Sequence, residues 1–107
     1  MKTVCLLSLA GAASILFLGC QAALVNPAPL NAEIIRTGSR MRVSESTLRE
    51  GRRLFTARCI ECHTLPVAWY YADAEWPRLV HDMARRSSLK DNEEQAIVAY
   101  IRAIRAQ

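Results

Sequence analysis

The chain has 107 residues, of which 51% are hydrophobic, so it can form at most one small domain with short extensions. Lysine and arginine number 14 against 10 acidic residues, a formal net charge of +4. That excess is too small for a nucleic-acid-binding protein, although it favours acidic partner surfaces. The four cysteines, Cys5, Cys20, Cys59 and Cys62, stand at positions that do not require a disulfide framework.

The N-terminus predicts an export signal. Residues 1–3 carry one positive charge, and residues 4–19 are apolar or small, with the sequence VCLLSLAGAASILFLG. This run is shorter than the roughly 20 residues of a membrane-spanning helix. It has the order of a signal peptide and ends where Gly19 precedes Cys20.

That end resembles the lipobox of bacterial lipoproteins, in which the cysteine is lipidated and becomes the new N-terminus. The resemblance implies a signal peptide at residues 1–19, a lipidated Cys20 and, from Gln21, the outer membrane on its periplasmic side. Two alternatives remain open, namely cleavage near Ala22 to release a soluble periplasmic product and an uncleaved inner-membrane anchor. All three place the rest of the chain outside the cytoplasm.

Residues 20–43 are predicted to be the lipidated N-terminus and a flexible tether. Residues 26–31, with the sequence NPAPLN, favour turns and break any helix. Residues 32–43 show little helical periodicity. Such a linker would hold the domain off a membrane.

The domain itself is predicted to occupy residues 44–107 and to begin with a helix. Ser44 or Ser46 can cap that helix. Because Gly51 has no side chain, another helix can approach closely at that position. The apolar stripe at helical spacing consists of Leu48, Gly51, Leu54 and Phe55.

Residues 59–63 read Cys-Ile-Glu-Cys-His, the pattern C-x-x-C-H that is typical of covalent c-type haem attachment. Two thiols at the spacing of Cys59 and Cys62 would lie along one helical turn, from which both can reach the vinyl groups on one porphyrin edge. His63 supplies the axial nitrogen that haem iron needs. A thioredoxin-like dithiol would need a preceding strand in a βαβ unit, and none is indicated. A zinc site would need His81 as fourth ligand, at a spacing unlike that of zinc fingers or ribbons.

A second helix is predicted to follow a loop that carries Trp69, Tyr70 and Tyr71. Asp73 is its expected N-cap, and Pro77 is tolerated because first-turn amides have no partner within the helix. Its apolar stripe consists of Trp76, Leu79, Val80 and Met83.

A third helix is predicted to begin near Asp91. Asp91 and Glu94 have the spacing of a capping box. The apolar stripe consists of Ile97, Tyr100, Ile101 and Ile104. Taken together, the patterns predict a small all-α domain.

Residues 44–107 resemble class I c-type cytochromes. In these proteins a first helix carries Gly-x-x-x-Phe, here Gly51 and Phe55, before C-x-x-C-H, and an aromatic residue of the last helix, here Tyr100, crosses near the glycine. A compact subgroup of small monohaem domains is matched further at Trp76, Pro77, Val80, Met83, Leu89, Glu93, Glu94, Ile97, Tyr100 and Ile101. The resemblance implies three to four helices wrapped around one covalent haem c, held by Cys59 and Cys62, with His63 as proximal iron ligand.

The resemblance also implies a methionine as distal iron ligand, and Met83 is the matching position. His81 is a rival, although helical geometry turns it away from the stripe. Met41 is a further candidate, and Met83 could instead be an ordinary core residue. Methionine–histidine ligation closes the iron to small molecules and raises its potential, which suits one-electron exchange.

The implied function is electron transfer outside the cytoplasm by a carrier that is not itself an enzyme. Its partners would be redox proteins, among them a dehydrogenase or oxidase. The alternatives are a haem-based sensor or peroxidase-like enzyme with an open sixth site, and a haem subunit of a larger complex. Basic residues predict either a solvated face or a rim that steers acidic partners. These residues are Arg49, Arg52, Arg53, Arg58, Arg85, Arg86 and Lys90.

Overall fold

The computed structural model describes residues 27–61 and 65–107. Within these ranges the protein is built from helices and contains no strand, which confirms the all-α prediction. The four α-helices are α1 (Ala32–Arg40), α2 (Glu45–Arg58), α3 (Trp76–Ser87) and α4 (Asp91–Arg105). Short 3₁₀ turns follow α2 at Cys59–Glu61 and precede α3 at Asp73–Glu75.

The fold is centred on the crossing of α2 and α4. A Cβ atom on Gly51 would collide with the carbonyl oxygen of Ala96 and lie 2.9 Å from the Cβ of Tyr100. Only glycine therefore allows this backbone approach. Beside the crossing, the rings of Phe55 and Tyr100 pack with their centroids 5.8 Å apart.

The predicted stripes of α2 and α4 are confirmed as the core. Branched and aromatic side chains at helical spacing bury the facing surfaces of both helices. Ser44 caps α2, since its hydroxyl accepts a hydrogen bond from the backbone N–H of Thr47 at 3.1 Å. The buried residues of the two stripes are Leu48, Gly51, Leu54, Phe55, Ile97, Tyr100, Ile101 and Ile104.

The start of α4 differs from the prediction. Lys90, and not Asp91, occupies the cap position. The backbone N–H of Lys90 donates to Oε2 of Glu93 at 2.8 Å. The predicted capping box between Asp91 and Glu94 is therefore wrong, because the carboxylate one residue earlier reaches back to the helix start.

The segment before residue 44 is folded wherever the structure describes it. Asn31 caps α1 by accepting a hydrogen bond from the backbone N–H of Ile34 at 2.8 Å. Ile34 is only 2% exposed and belongs to the core. At its other end α1 contacts the last residue of the chain, where Nε2 of Gln107 donates to Oγ1 of Thr37 at 3.3 Å.

The backbone carbonyl of Ala28, which precedes α1, is hydrogen-bonded to both central helices, α2 and α4. The hydroxyl of Tyr100 donates to the Ala28 oxygen at 2.6 Å, and Nε of Arg52 donates to the same atom at 3.0 Å. The prediction of a flexible tether is therefore wrong for residues 27–43, which belong to the folded domain.

The start of α3 also differs from the prediction that Asp73 caps this helix. Asp73 lies in the 3₁₀ turn and does not cap α3, and its carboxylate pairs with Nε of Arg102 at 3.3 Å and of Arg105 at 3.6 Å. The fully buried face of α3 consists of Trp76, Val80 and Ala84, whereas Leu79 and Met83 are half-buried.

The loop before α3 is anchored through one carbonyl. The indole N–H of Trp76 donates to the oxygen of Ala68 at 3.2 Å, and the Arg105 guanidinium donates to the same atom. Among the described helices, none combines the length and the hydropathy needed to cross a membrane.

Candidate functional site

An apolar cavity opens where the ends of α2 and α3 meet α4. Its walls include Cys59, Val80, Met83, Leu89 and Ile97, and two of its lining residues, Arg58 and Arg86, are cationic. Its volume is about 90 Å³. That is smaller than the roughly 300–1,000 Å³ typical of small-molecule and cofactor sites, so the described walls alone do not enclose a whole cofactor.

Cys59 is placed on the cavity by the way α2 ends. Its backbone stays in the right-handed helical region, and the 3₁₀ turn Cys59–Glu61 continues directly from α2. The guanidinium of Arg58 donates to the carbonyl oxygen of Ser87 at 2.5 Å and lies 3.6 Å from the carboxylate of Glu61. The Arg58–Ser87 hydrogen bond ties the end of α2 to the end of α3, and the half-buried Cys59 side chain lines the cavity between them.

Met83 reaches the same cavity from α3. It lies beside the buried face formed by Val80 and Ala84 but is itself only half-buried. A methionine that merely filled the core would be enclosed by its neighbours. The structure therefore brings together two of the predicted site residues, Cys59 and Met83, in the wall of one cavity.

The two rivals of Met83 lie elsewhere. The side chain of His81 is 59% exposed, and its Nδ1 lies 3.0 Å from Oε2 of Glu94 on α4. Met41 is 38% exposed and lines a separate groove with Val43 and Pro77. Neither contributes to the cavity walls among the described residues.

Three predicted site residues, Cys20, Cys62 and His63, lie outside the described residues. Within residues 27–61 and 65–107, no three His, Cys, Asp or Glu side chains are grouped as a metal site. Of the residues predicted to hold a haem, the structure therefore describes Cys59 and Met83. Cys62 and His63 are predicted from the C-x-x-C-H pattern alone.

The arginines of α2 are largely engaged by neighbouring groups. Arg49 pairs with Glu45 at 2.5 Å and Arg53 with Glu50 at 2.6 Å. The hydrogen bond from Arg53 lowers the pKa of the Glu50 carboxyl. Arg52 donates to the carbonyl of Ala28, as described above.

The basic residues after Met83 differ from those of α2. Arg85, Arg86 and Lys90 are exposed and have no ion pair in the described part of the chain. Arg86 lines the cavity. Both alternatives, a solvated face and a rim that steers partners, therefore stay predictions, and these three basic residues without an ion pair in the described ranges lie around the turn between α3 and α4.

Sequence periodicity did not predict that Leu89 lines the cavity. Ser88 ends α3 in the left-handed conformation with φ of 53°, and the backbone N–H of Leu89 donates to the carbonyl of Ala84 at 3.1 Å. This reversal places Leu89 on the cavity. No glycine marks the turn, so the usual sequence signal for such a helix end is missing.

No protein-family model, curated protein or solved structure matches this chain. The candidate site therefore rests on two observations. One is the C-x-x-C-H pattern of residues 59–63. The other is the cavity that Cys59 shares with Met83.

Proposed function

We propose that this protein carries single electrons outside the cytoplasm through one covalently bound haem c. In this proposal Cys59 and Cys62 hold the porphyrin, His63 is the proximal iron ligand and Met83 the distal one. The observation that carries the proposal is the shared cavity of Cys59 and Met83, from which His81 and Met41 are absent among the described residues.

The apolar side chains of the cavity are of the kind that contact a porphyrin face. Val80, Leu89 and Ile97 offer apolar surface, which a porphyrin face needs in order to be shielded from water. Attachment requires each thiol to add across one vinyl group, with sulfur bonding to one carbon and a proton to the other, and Cys59 stands at the cavity for one such bond. The bound group supplies a one-electron iron couple.

Met83 as the distal iron ligand favours electron transfer over other haem functions. A thioether is a soft, neutral ligand that favours the ferrous state and so raises the reduction potential. Among the described residues that line the cavity, none is His, Asp or Glu. A methionine on the distal side would also close the iron to peroxide, which supports a carrier over an enzyme.

The proposed location is the periplasm, with residues 1–19 removed as a signal peptide and Cys20 lipidated at the outer membrane. The support comes from the lipobox resemblance and from the haem motif, which independently requires export. Comparing membrane fractions of the wild type and Cys20→Ser tests this part. We expect the variant to leave the membrane fraction, and equal fractionation would contradict lipidation.

Haem attachment is tested by producing the protein with a haem-attachment system and staining for haem after denaturation. Covalent haem should remain with the wild type and be lost from the double variant Cys59→Ser, Cys62→Ser. Haem lost from the wild type on denaturation would contradict the proposal.

A further inference from the structure

The folded N-terminal segment limits how far the domain can lie from a membrane anchor. The carbonyl of Ala28 is fixed by Tyr100 and Arg52. Cys20 and Ala28 are eight positions apart in the sequence. An extended chain spans at most about 3.6 Å per residue, so the two residues are at most about 29 Å apart, whatever conformation lies between them.

The first element after this point, α1, presents a cationic face. Its buried side is centred on Ile34, and Arg36 lies on the opposite side. Arg40, one helical turn further on, is also exposed, and its guanidinium donates a hydrogen bond to Oγ1 of Thr37 at 3.1 Å. Arg42, also exposed, follows the helix with a positive φ of 61°. None of the three arginines has an ion pair in the described part of the chain, and Glu33 is the one acid of residues 32–43.

The charge of this group suits a phospholipid surface. Basic residues close to a membrane anchor are attracted to anionic head groups. Met41 stands between Arg40 and Arg42 in the sequence, but it lines the groove with Val43 and Pro77 and does not belong to this face.

A second unpaired cationic group, Arg85, Arg86 and Lys90, lies near the cavity and could compete for the same surface. The two groups are far apart along the central helices. Gly38 of α1 packs against Leu48 near the start of α2, whereas Cys59 lies just after its end. Leu48 and Cys59 are eleven positions apart, so at about 1.5 Å per residue α1 and the cavity are separated by about 16 Å along α2.

We propose that α1 is the membrane-contacting face of the anchored protein, with Arg36, Arg40 and Arg42 on anionic phospholipid head groups. This inference rests on the proposed lipidation of Cys20 for its anchor. The contact turns the Cys59–Met83 cavity toward the aqueous phase. It also leaves Arg85, Arg86 and Lys90 accessible to a water-soluble redox partner.

The test uses the lipidated, haem-loaded protein in phosphatidylcholine vesicles, with or without an equal amount of phosphatidylglycerol. Amide hydrogen exchange is followed in α1 and, within the same molecule, in residues 87–91 beside the cavity. We expect α1 to exchange more slowly on the anionic vesicles, residues 87–91 to be unaffected, and added salt to abolish the difference.

A charge-matched pair of variants isolates the α1 arginines. Each arginine at an anionic surface should strengthen the contact about five-fold, so the triple change Arg36→Gln, Arg40→Gln, Arg42→Gln should weaken it on the order of 100-fold. The control is a triple change to glutamine at three exposed, ion-paired arginines, Arg49, Arg53 and Arg78, and should leave the α1 protection in place.

The outcomes separate docking from anchoring. Equal exchange of α1 on both kinds of vesicle, protection of residues 87–91 in place of α1, or protection that survives the α1 triple change would overturn the docking face. The mass of the mature protein reports lipidation independently. A protein without lipid that is still protected at α1 on anionic vesicles would overturn the anchor alone.

Discussion

The two ends of α2 differ in how completely their apolar side chains are covered. At its first end, α1 covers the core, with Ile34 and Leu48 both buried. At its second end, Cys59 and Met83 remain half-buried around a cavity with apolar walls. A small domain has little apolar surface to spare, so the proposed haem would add apolar contacts at the end where Cys59 and Met83 lie.

The largest expected effect is that of leaving out the proposed haem. A core of this size is marginal without a covalent or metal staple, so we expect the wild-type chain produced without haem attachment to be largely unfolded. Circular dichroism during heating should show a cooperative transition only for the haem-loaded form. Identical melting of the two forms would show that the cavity end needs no bound group.

The crossing between the two ends should be the next most sensitive point. Gly51→Ala places a Cβ against the Ala96 carbonyl, which is backbone and cannot move aside. We expect a loss of about 3 kcal/mol, the upper part of the range for overpacking, measured by denaturant unfolding of the haem-loaded protein.

Gly38→Ala is the matched control at the α1 end. Its Cβ would meet the Cδ1 atom of Leu48 at 2.5 Å, the far end of a flexible side chain. Because this side chain can rotate, we expect a loss of about 1 kcal/mol or less. Equal losses for the two variants would contradict the tight backbone crossing at Gly51.

The hydroxyl of Tyr100 makes the stability of the folded state depend on pH. Burial raises the pKa of its hydroxyl from 10.0 to about 12, against the opposing charge of Arg52. Since the folded state holds this proton more tightly, the stabilisation is complete below pH 10 and is lost as the pH rises toward about 12. Tyr100→Phe should remove this slope.

Tyr100→Phe should also lower the free energy of unfolding at neutral pH. It removes the hydrogen bond to Ala28, which a typical value places at about 1 kcal/mol. Unfolding curves of both proteins across this pH range measure the two effects. Parallel pH profiles would contradict the role assigned to the Tyr100 hydroxyl.

The smallest effect concerns the cavity end and its partner. Arg86 is exposed and unpaired in the described part of the chain, so it can attract an acidic redox protein. We expect Arg86→Gln to lower the rate of electron transfer to such a partner a few-fold in dilute buffer and not in high salt. Arg49→Gln, which removes an arginine already paired with Glu45, is the control.

The sequence predicted the crossing of α2 and α4 better than the rest of the fold. Both helices repeat large apolar residues at helical spacing, from Leu48 to Phe55 and from Ile97 to Ile104, so their buried faces could be read directly. In α1, Ile34 is the only large buried apolar residue, joined by Thr37 and Gly38. That pattern is too sparse to distinguish a packed helix from a tether.

The candidate site was predictable in its residue types but not in its walls. C-x-x-C-H identifies the attachment chemistry locally, whereas Met83 was favoured through resemblance and ligand chemistry. Periodicity correctly turned His81 outward, where it contacts Glu94. It could not show that Leu89 joins the cavity, because the left-handed residue Ser88 carries no glycine signal.

In the proposed function, Cys59 and Met83 mark the two sides of one haem site. This is tested by the visible spectrum of the reduced, haem-loaded protein with and without carbon monoxide, for the wild type, Met83→Ala and Leu79→Ala. Leu79 is a half-buried residue of the same helix that does not line the cavity among the described residues.

We predict that carbon monoxide leaves the bands of the wild type and of Leu79→Ala unmoved and shifts those of Met83→Ala, whose potential should fall on the order of 0.1 V, within the roughly 0.8 V span set by axial ligands. An immediate shift in the wild type would show an open sixth site and contradict the role of Met83. The absence of covalent haem would contradict the account as a whole.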